Sequence, residues 1–443
     1  MAIKCFEIQF SELSTSDSIR LSPPFTLPEI GYKYDKISNY LAVCESGSRP
    51  KGGISNDDDG EAISVGGEQI NVDGSIDLSK IPYVSYEFYN KAEKGKVRDF
   101  DILICKDGAL TGKTCLINFN DLPKQEVMVN EHVYVLRGNK KVNQKFLFYL
   151  TRNDLFQSQI KDLAYRKKAQ PGLNADHFKK IKIPEISKSA QDQIVAQIEP
   201  IECKIKDLRS QIKKPQEVIN QVFAREFGFD LKGFEEVRKQ KFFEFDFSDF
   251  SKHRDLRCGI GTKKASIELK PFISKDFEFV RLGEIISLEY GSGLTDQERV
   301  EGDYPVMGSN GIVGYHNNFL IKSPSIIVGR KGSAGEINYI EENCYPIDTC
   351  FYVKFLKQQN IVYFSYLLKF LQLKRLTLFK GVPGLNRYDV YEVKVPRLLP
   401  THQQKIVDEI KLELDAQELI KKQIESERQK IDAIIERAIS LRG

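Results

Sequence analysis

Gln170-Pro-Gly-Leu-Asn174 and Val382-Pro-Gly-Leu-Asn386 are one turn written twice, 212 residues apart. The register holds downstream without a gap. Ile183-Pro184 falls on Val395-Pro396, Ser189 on Thr401, Gln193-Ile-Val195 on Lys405-Ile-Val407, and Ile198 on Ile410. Self-similarity at a long fixed offset marks a repeated structural unit.

Upstream, the match continues with changed offsets, as loop insertions produce. Phe6–Leu13 resembles Phe243–Phe250, and Ser18-Ile-Arg20 resembles Asp255-Leu-Arg257. Ile102-Leu-Ile104 through Gly108 and Gly112 resembles Ile326-Ile-Val328 through Gly332 and Gly335. The 443 residues therefore divide into two copies, roughly 1–237 and 238–443.

Both copies share one internal order. Short β-rich runs come first (Phe100–Cys105, Val133–Arg137; Ser325–Gly329, Cys350–Val353), with Gly, Asn and Asp turns between them. The Gly-rich stretch 47–74 reads as loop. A helical pattern follows (Val142–Ala164; Asn360–Leu376), then the Pro-Gly-Leu-Asn turn, a short strand ending at Pro184 or Pro396, and a long helix. Ser189-x-x-Asp192 and Thr401-x-x-Gln404 are capping-box-like starts. Apolar residues at 194, 198, 201, 205, 208 and 212 alternate steps of 4 and 3, then come 219 and 222, a heptad seam that Pro215 breaks and Pro200 disturbs. In the second helix Ile406, Ile410, Ile420, Ile424, Ile431, Ile434 and Ala438 keep that register, with Glu413, Gln417 and Glu427 as interruptions. About 35 residues make a rod of about 50 Å. A bare seam of that length needs a partner, and the other helix of the same chain is at hand.

Composition narrows the function classes. Hydrophobic residues at 41%, with 28 Phe and 19 Tyr, exclude a disordered chain. The longest apolar stretch, Ile361–Leu373, is broken by Ser365, Lys369 and Gln372, too short and too polar for a membrane span. The N-terminus shows no signal-peptide pattern, and a cytoplasmic location is expected. Eight Cys without CxxC or regular spacing read as reduced thiols, with no metal site.

Catalytic motifs fail one by one. Asp107-Gly-Ala-Leu-Thr-Gly-Lys-Thr114 approaches a phosphate-binding loop, but only three residues separate its glycines, and Arg330–Glu336 in the second copy lacks the Lys-Ser/Thr pair. It reads as a tight turn with glycines at positive φ. Ser22-Pro-Pro-Phe25 resembles the tetrapeptide of amino-methyltransferases, but no Gly-rich AdoMet loop accompanies it. Asp389 and Glu392-Val-Lys394 form an incomplete nuclease pattern, and His132, His177, His253, His316 and His402 share no useful spacing.

The charge signal is local. Net charge is only +4, yet seven Lys/Arg stand against two Asp in residues 161–182, and five against two acids in 373–394. Two basic patches at equivalent places suit DNA phosphates. The residues expected to contact them are Lys167, Lys168, Lys180, Lys374, Arg375, Lys380 and Arg387. Gly108, Gly112, Gly332 and Gly335 would shape the strand turns, and Asn174 and Asn386 the Pro-Gly-Leu-Asn turns.

A globular half, a Gly-x-x-Gly strand turn, Pro-Gly-Leu-Asn, a short strand ending in Pro and a long helix, all given twice, resembles the DNA-specificity (S) subunit of type I restriction–modification systems. The resemblance covers nearly the whole chain and is most specific over 170–223 and 382–438. It implies an α+β fold. Two α/β target-recognition domains (1–186 and 238–398) are each followed by a long helix (187–237 with its connection, and 399–443). The two helices pack as an antiparallel coiled coil. It further implies a bipartite, asymmetric double-stranded DNA site, the half-sites separated by about a helical turn or a little more. Two modification (methyltransferase) subunits and then restriction (motor–nuclease) subunits would dock on the chain. No catalytic residue and no cofactor would belong to it, AdoMet, ATP and Mg residing in the partners. Two other readings are an enzyme with its own active site and a coiled-coil scaffold without a DNA role.

Replacing Lys167→Ala together with Lys168→Ala is expected to weaken binding to every DNA sequence and to flatten its salt dependence. Titrating affinity against salt checks this, and an unchanged slope counts against the patch.

Overall fold

The computed structural model describes residues 25–50, 62–79, 81–164, 172–239, 269–377 and 384–440. Phe6–Leu13, Ser18–Arg20 and their counterparts at 243–250 and 255–257 lie outside them, as do Lys167, Lys168 and Lys380. The chain forms two compact units, residues 1–210 with 423–443, and residues 211–422.

Among the described residues the first unit carries nine strands: β1 (Tyr34–Lys36), β2 (Leu41–Ser46), β3 (Ala62–Val65), β4 (Tyr83–Val84), β5 (Ile102–Cys105), β6 (Thr114–Leu116), β7 (Val127–Val129), β8 (Val133–Gly138) and β9 (Lys182–Pro184). They form a four-stranded sheet in the order β2-β8-β5-β6, a three-stranded sheet β4-β3-β7, and the pair β1-β9. β3 and β7 run parallel; the other pairs are antiparallel. β5 and β7 are buried along their length and rich in Ile and Val, the composition of strands covered on both faces. β3 is equally buried and lies inside the Gly-rich stretch expected to be loop. Its Ala-Ile-Ser-Val run is too short to show a period.

The second unit repeats the plan with β10 (Phe279–Arg281), β11 (Ile286–Tyr290), β12 (Tyr304–Gly308), β13 (Gly311–His316), β14 (Ser325–Gly329), β15 (Ile337–Ile340), β16 (Tyr345–Pro346), β17 (Cys350–Phe355) and β18 (Lys394–Pro396). The orders β11-β17-β14-β15, β13-β12-β16 and β10-β18 match those of the first unit sheet for sheet. The parallel pairing recurs as well, between β12 and β16. Pro184 and Pro396 end their strands, opposite Tyr34 and Phe279.

The helices refine the sequence reading. The segment 142–164 is two helices, Gln144–Arg152 and Asp154–Ala164, divided where Asn153 Oδ1 accepts from Leu155 N. In the second unit the helix is Ile361–Leu371, ended by Gln372 in the left-handed region (φ 51°) and followed by a 3-10 turn, Leu373–Leu376. The first long helix runs Lys188–Ser210 with Pro200 inside it, and a new helix, Pro215–Phe227, starts with Pro215 at its first position. Pro has no N–H to lose there, so it begins a helix where it could not continue one. The second long helix is unbroken, Pro400–Ser440.

Neither expected capping box forms. Ser187, not Ser189, accepts from Ala190 N (3.3 Å), and Asp192 is taken by Lys188 and Asn143. The second helix starts at Pro400, and Gln404 bonds Asn360 and Asp408. The helix starts are fixed by another device, the same in both units. Gln191 Oε1 accepts from Asn143 N (2.7 Å) while its Nε2 donates to Ile186 O (2.7 Å). Gln403 does the same with Asn360 N (3.0 Å) and Leu398 O (3.1 Å). Each of these glutamines is buried and clips a long helix to the N-cap of an earlier helix of its unit, Gln144–Arg152 or Ile361–Leu371.

The three polar interruptions belong to the seam rather than breaking it. Along Pro400–Ser440 the inward positions step by 3 and 4 through 403, 406, 410, 413, 417, 420, 424, 427, 431, 434 and 438. Gln417 Oε1 accepts from Lys213 N at 2.7 Å, and Glu413 pairs with Arg225 at 3.9 Å. Glu427 takes Lys204 at 2.6 Å and Lys430 at 2.9 Å. In the second unit Phe223 is fully buried and stacks on Phe370 with ring centroids 5.0 Å apart, so the helix Pro215–Phe227 is part of that unit's core.

Hydrogen bonds from Lys204 and then Lys430 hold the Glu427 carboxyl below its usual range. A depressed carboxyl stabilises the fold above the ordinary glutamate value of about 4.3 and loses that contribution as pH falls through its lower folded value. Glu427→Gln is therefore expected to lower Tm at pH 7 and to converge on the parent protein in acid. Tm measured against pH decides this; curves that stay parallel below pH 4 would remove the role given to Glu427.

Candidate nucleic-acid interface

The two signature turns are bridged to each other, identically in both units. After β5 the chain turns at Gly108–Leu110, and Leu173 N of the Pro-Gly-Leu-Asn segment donates to Lys106 O at 2.8 Å. After β14, Leu385 N donates to Arg330 O at 2.9 Å. Bridges Asp107↔Gly172 and Lys331↔Gly384 complete the pattern. Leu173 and Leu385 are buried and anchor the segment from below.

Gly108, Gly112, Gly332 and Gly335 have φ of 72°, 91°, 76° and 83°, the left-handed region that side chains resist. Their surroundings differ. A Cβ on Gly108 would meet nothing within 4 Å, whereas one on Gly335 would stand 2.3 Å from Lys374 N. Gly335 thus seats the strand turn against the backbone of the basic 3-10 turn. Asn174 and Asn386 have a more specific role than shaping a turn. Asn174 Oδ1 accepts from His177 N (3.0 Å) and Asn386 Oδ1 from Tyr388 N (3.1 Å), capping the short helices Ala175–Phe178 and Arg387–Tyr391.

The basic residues divide by environment. Lys180 and Lys374 are exposed. The Arg375 side chain is 11% exposed; it lies over Phe234 (5.1 Å) and pairs with Glu235 (3.8 Å). Arg387 lies over the rings of Tyr290 (5.1 Å) and Tyr388 (5.2 Å). Sequence reading missed the other side chains at the bridged turns. In the first unit Lys106 lies over Tyr134 (5.4 Å), and His132 Nδ1 meets Asp107 Oδ2 (3.1 Å) while its Nε2 meets Glu131 (3.2 Å). In the second, Arg330 lies over Tyr290 (5.0 Å). No spacing rule could find them, because strand pairing brings them together.

Among the described residues, no three His, Cys, Asp or Glu side chains stand where they could hold a metal ion, and no helix is long and apolar enough to cross a membrane. Cys115 is fully buried and its thiol is pushed up to about 12, which leaves it protonated and inert.

A twofold α/β head, each copy presenting a bridged turn pair, defines a tandem recognition protein. The model of the type I restriction modification DNA specificity domain matches residues 43–216 and again 274–432. The chain belongs to that family, and its role is DNA sequence specificity. S subunits of type I systems function in complexes with DNA and other subunits. A chain from a structural study of complex assembly and conformational transition of the type I R-M system is 14% identical, covers 95% of this chain and 100% of its own, and superimposes with a TM-score of 0.51. The type I S subunit from M. genitalium is 17% identical over 95% of this chain and 99% of its own, with a TM-score of 0.44. At 14% identity and a TM-score of 0.51 the likeness to the first of these is one of fold. No curated protein matches the sequence.

Gly335→Ala is expected to cost more than Gly108→Ala. Both carry the ~1–2 kcal/mol of a left-handed non-glycine residue, and Gly335 adds an overpacking term of about 1–3 kcal/mol. Calorimetric Tm values check it, at roughly 2–4 °C per kcal/mol for a unit of this size; equal shifts would show that Lys374 moves aside freely.

Proposed function

We propose that the chain is a non-catalytic specificity subunit whose two heads, residues 1–186 and 238–398, each read one part of a bipartite, asymmetric double-stranded DNA site. The observation that carries this reading is the bridged turn pair built twice on one topology with different side chains around it. Equal scaffolds put a reading surface at equivalent places; unequal side chains read different bases. Lys167, Lys168, Lys180, Lys374, Lys380 and Arg387 would supply phosphate contacts. Arg375, held by Glu235 and Phe234, would act more through the fold than on DNA.

The long helices, residues 187–237 and 399–443, would serve as the spacer, packed as an antiparallel coiled coil. The pairs Lys213–Gln417, Arg225–Glu409 and Glu226–His402 support this, because one number rises as the other falls. At 1.5 Å per residue the 41 residues of Pro400–Ser440 span about 60 Å. Two modification subunits would dock on the chain, followed by restriction subunits, and AdoMet, ATP and Mg would enter with them. The protein would act in the cytoplasm.

Exchanging residues 1–185 for the first half of another family member is expected to change one half-site and leave the other and the spacing intact. Genome-wide mapping of methylated sites reads the outcome directly. A change in both half-sites would overturn the two-head reading.

A further inference from the structure

The two heads share backbone but not chemistry at the bridged turns. Strand registers set the correspondence. Tyr290 pairs with Phe351 across β11 and β17, as Ser46 pairs with Tyr134 across β2 and β8. The bridges equate Arg330 with Lys106 and Lys331 with Asp107, and the 212-residue register equates Arg387 with Ala175 and Tyr388 with Asp176.

In the second head these positions build a column. Arg330 lies 5.0 Å from the Tyr290 ring and 6.0 Å from that of Phe351; Arg387 lies 5.1 Å from Tyr290 and 5.2 Å from Tyr388. Tyr290 thus sits between two guanidinium groups, yet it is 50% exposed, and Tyr388 is 62% exposed. Arg387 is poorly satisfied within the chain. Its Nη1 reaches Leu288 O at 3.5 Å and its Nη2 the Tyr388 hydroxyl at 3.3 Å, both long for hydrogen bonds, while its Nε is buried with no partner among the described residues. In the first head only Lys106 over Tyr134 survives. Ser46 and Ala175 replace the stacking groups, and Asp107, Glu131 and Asp176 surround the turn. Asp348 and Asp389 stand at the places of Glu131 and His177, and in the first head two of the carboxylates carry their own cations, Glu131 with Arg49 at 3.3 Å and Asp176 with Lys179 at 2.7 Å.

Building on the reading of both heads as DNA-recognition domains, we propose that the Arg330–Tyr290–Arg387–Tyr388 column is a stacked DNA-backbone contact of the second head alone, which the first head, with Ser46, Ala175 and Asp176 at the places of Tyr290, Arg387 and Tyr388, does not make through Lys106. A guanidinium stacked on an aromatic face keeps its edge free for bidentate phosphate binding, and exposed phenol rings offer faces to sugars and bases. In the first head Asp107 and Asp176 take the places of Lys331 and Tyr388 beside Lys106, which weakens its hold on the same ligand.

The test is fluorescence anisotropy of the full chain, alone and with co-expressed modification subunits, on duplexes with and without the recognised site across a salt series. Arg387→Ala with Tyr388→Asp writes the first head's residues into the second. Affinity is expected to fall about tenfold on every duplex, and the log–log salt slope to lose about one unit, the signature of one lost phosphate. Lys106→Ala is expected to change neither. Tyr290→Ser removes the stacking surface without touching charge and decides the matter should the double variant not fold; it is expected to weaken binding several-fold with the slope kept. Wild-type affinity and slope in folded variants, with site discrimination intact, would overturn the column and leave the two-head reading standing, and an equal loss with Lys106→Ala would overturn the asymmetry. Failure of the parent protein to bind DNA in either form would overturn both.

Discussion

The backbone hydrogen bond from the Pro-Gly-Leu-Asn segment to the end of a central strand is the constraint on which each head depends. It fixes where β9 or β18 begins, and the pairing of that strand with β1 or β10 closes the head. It also sets where the long helix starts, a few residues on. The bond exists only because the strand turns back at glycines of positive φ and because a buried leucine pulls the segment down. Substitute at any of these places and a sheet edge, a turn and a helix origin lose their common reference.

The parts of this plan that the sequence displayed were those fixed by residue type. Pro-Gly-Leu-Asn, the strand-ending prolines and the paired glycines must be what they are for backbone reasons, so they survive duplication and can be aligned by eye. The long helices showed for the same reason, since their isoleucines recur at helical spacing. Other features hid because tertiary contacts define them. Gln191 and Gln403 look like ordinary helix-surface residues until Asn143 and Asn360 are seen to donate to them. Glu413, Gln417 and Glu427 read as faults in a heptad because a sequence cannot show Arg225, Lys213 and Lys204 waiting opposite. β3 gave no period, being four residues long. The basic patches were seen as charge, but their surroundings were not: Arg375 is turned to Glu235 while Arg387 leans on tyrosines.

Duplication followed by divergence separates what builds the head from what the head displays. Strand order, the parallel pairing, the bridges and the glutamine clips agree between the copies. The exposed side chains beside the bridges do not, as Ser46 and Ala175 at the places of Tyr290 and Arg387 show. A scaffold that holds its backbone by buried leucines, glycines and asparagine caps leaves neighbouring surface positions free to vary, which is the property a recognition module needs.

The helix Pro400–Ser440 gives up its first part to the second unit and its last part, from Gln423, to the first. In order of synthesis, then, the first unit to emerge from the ribosome is the last to be completed. Residues 1–210 must wait for some two hundred more before Glu427 can meet Lys204, a loop closure of high entropic cost and high contact order. The second unit, contiguous in sequence, needs no such delay. A chain broken off near residue 420 would therefore be maimed at its opposite end: the second head finished, the first left without its last helical segment.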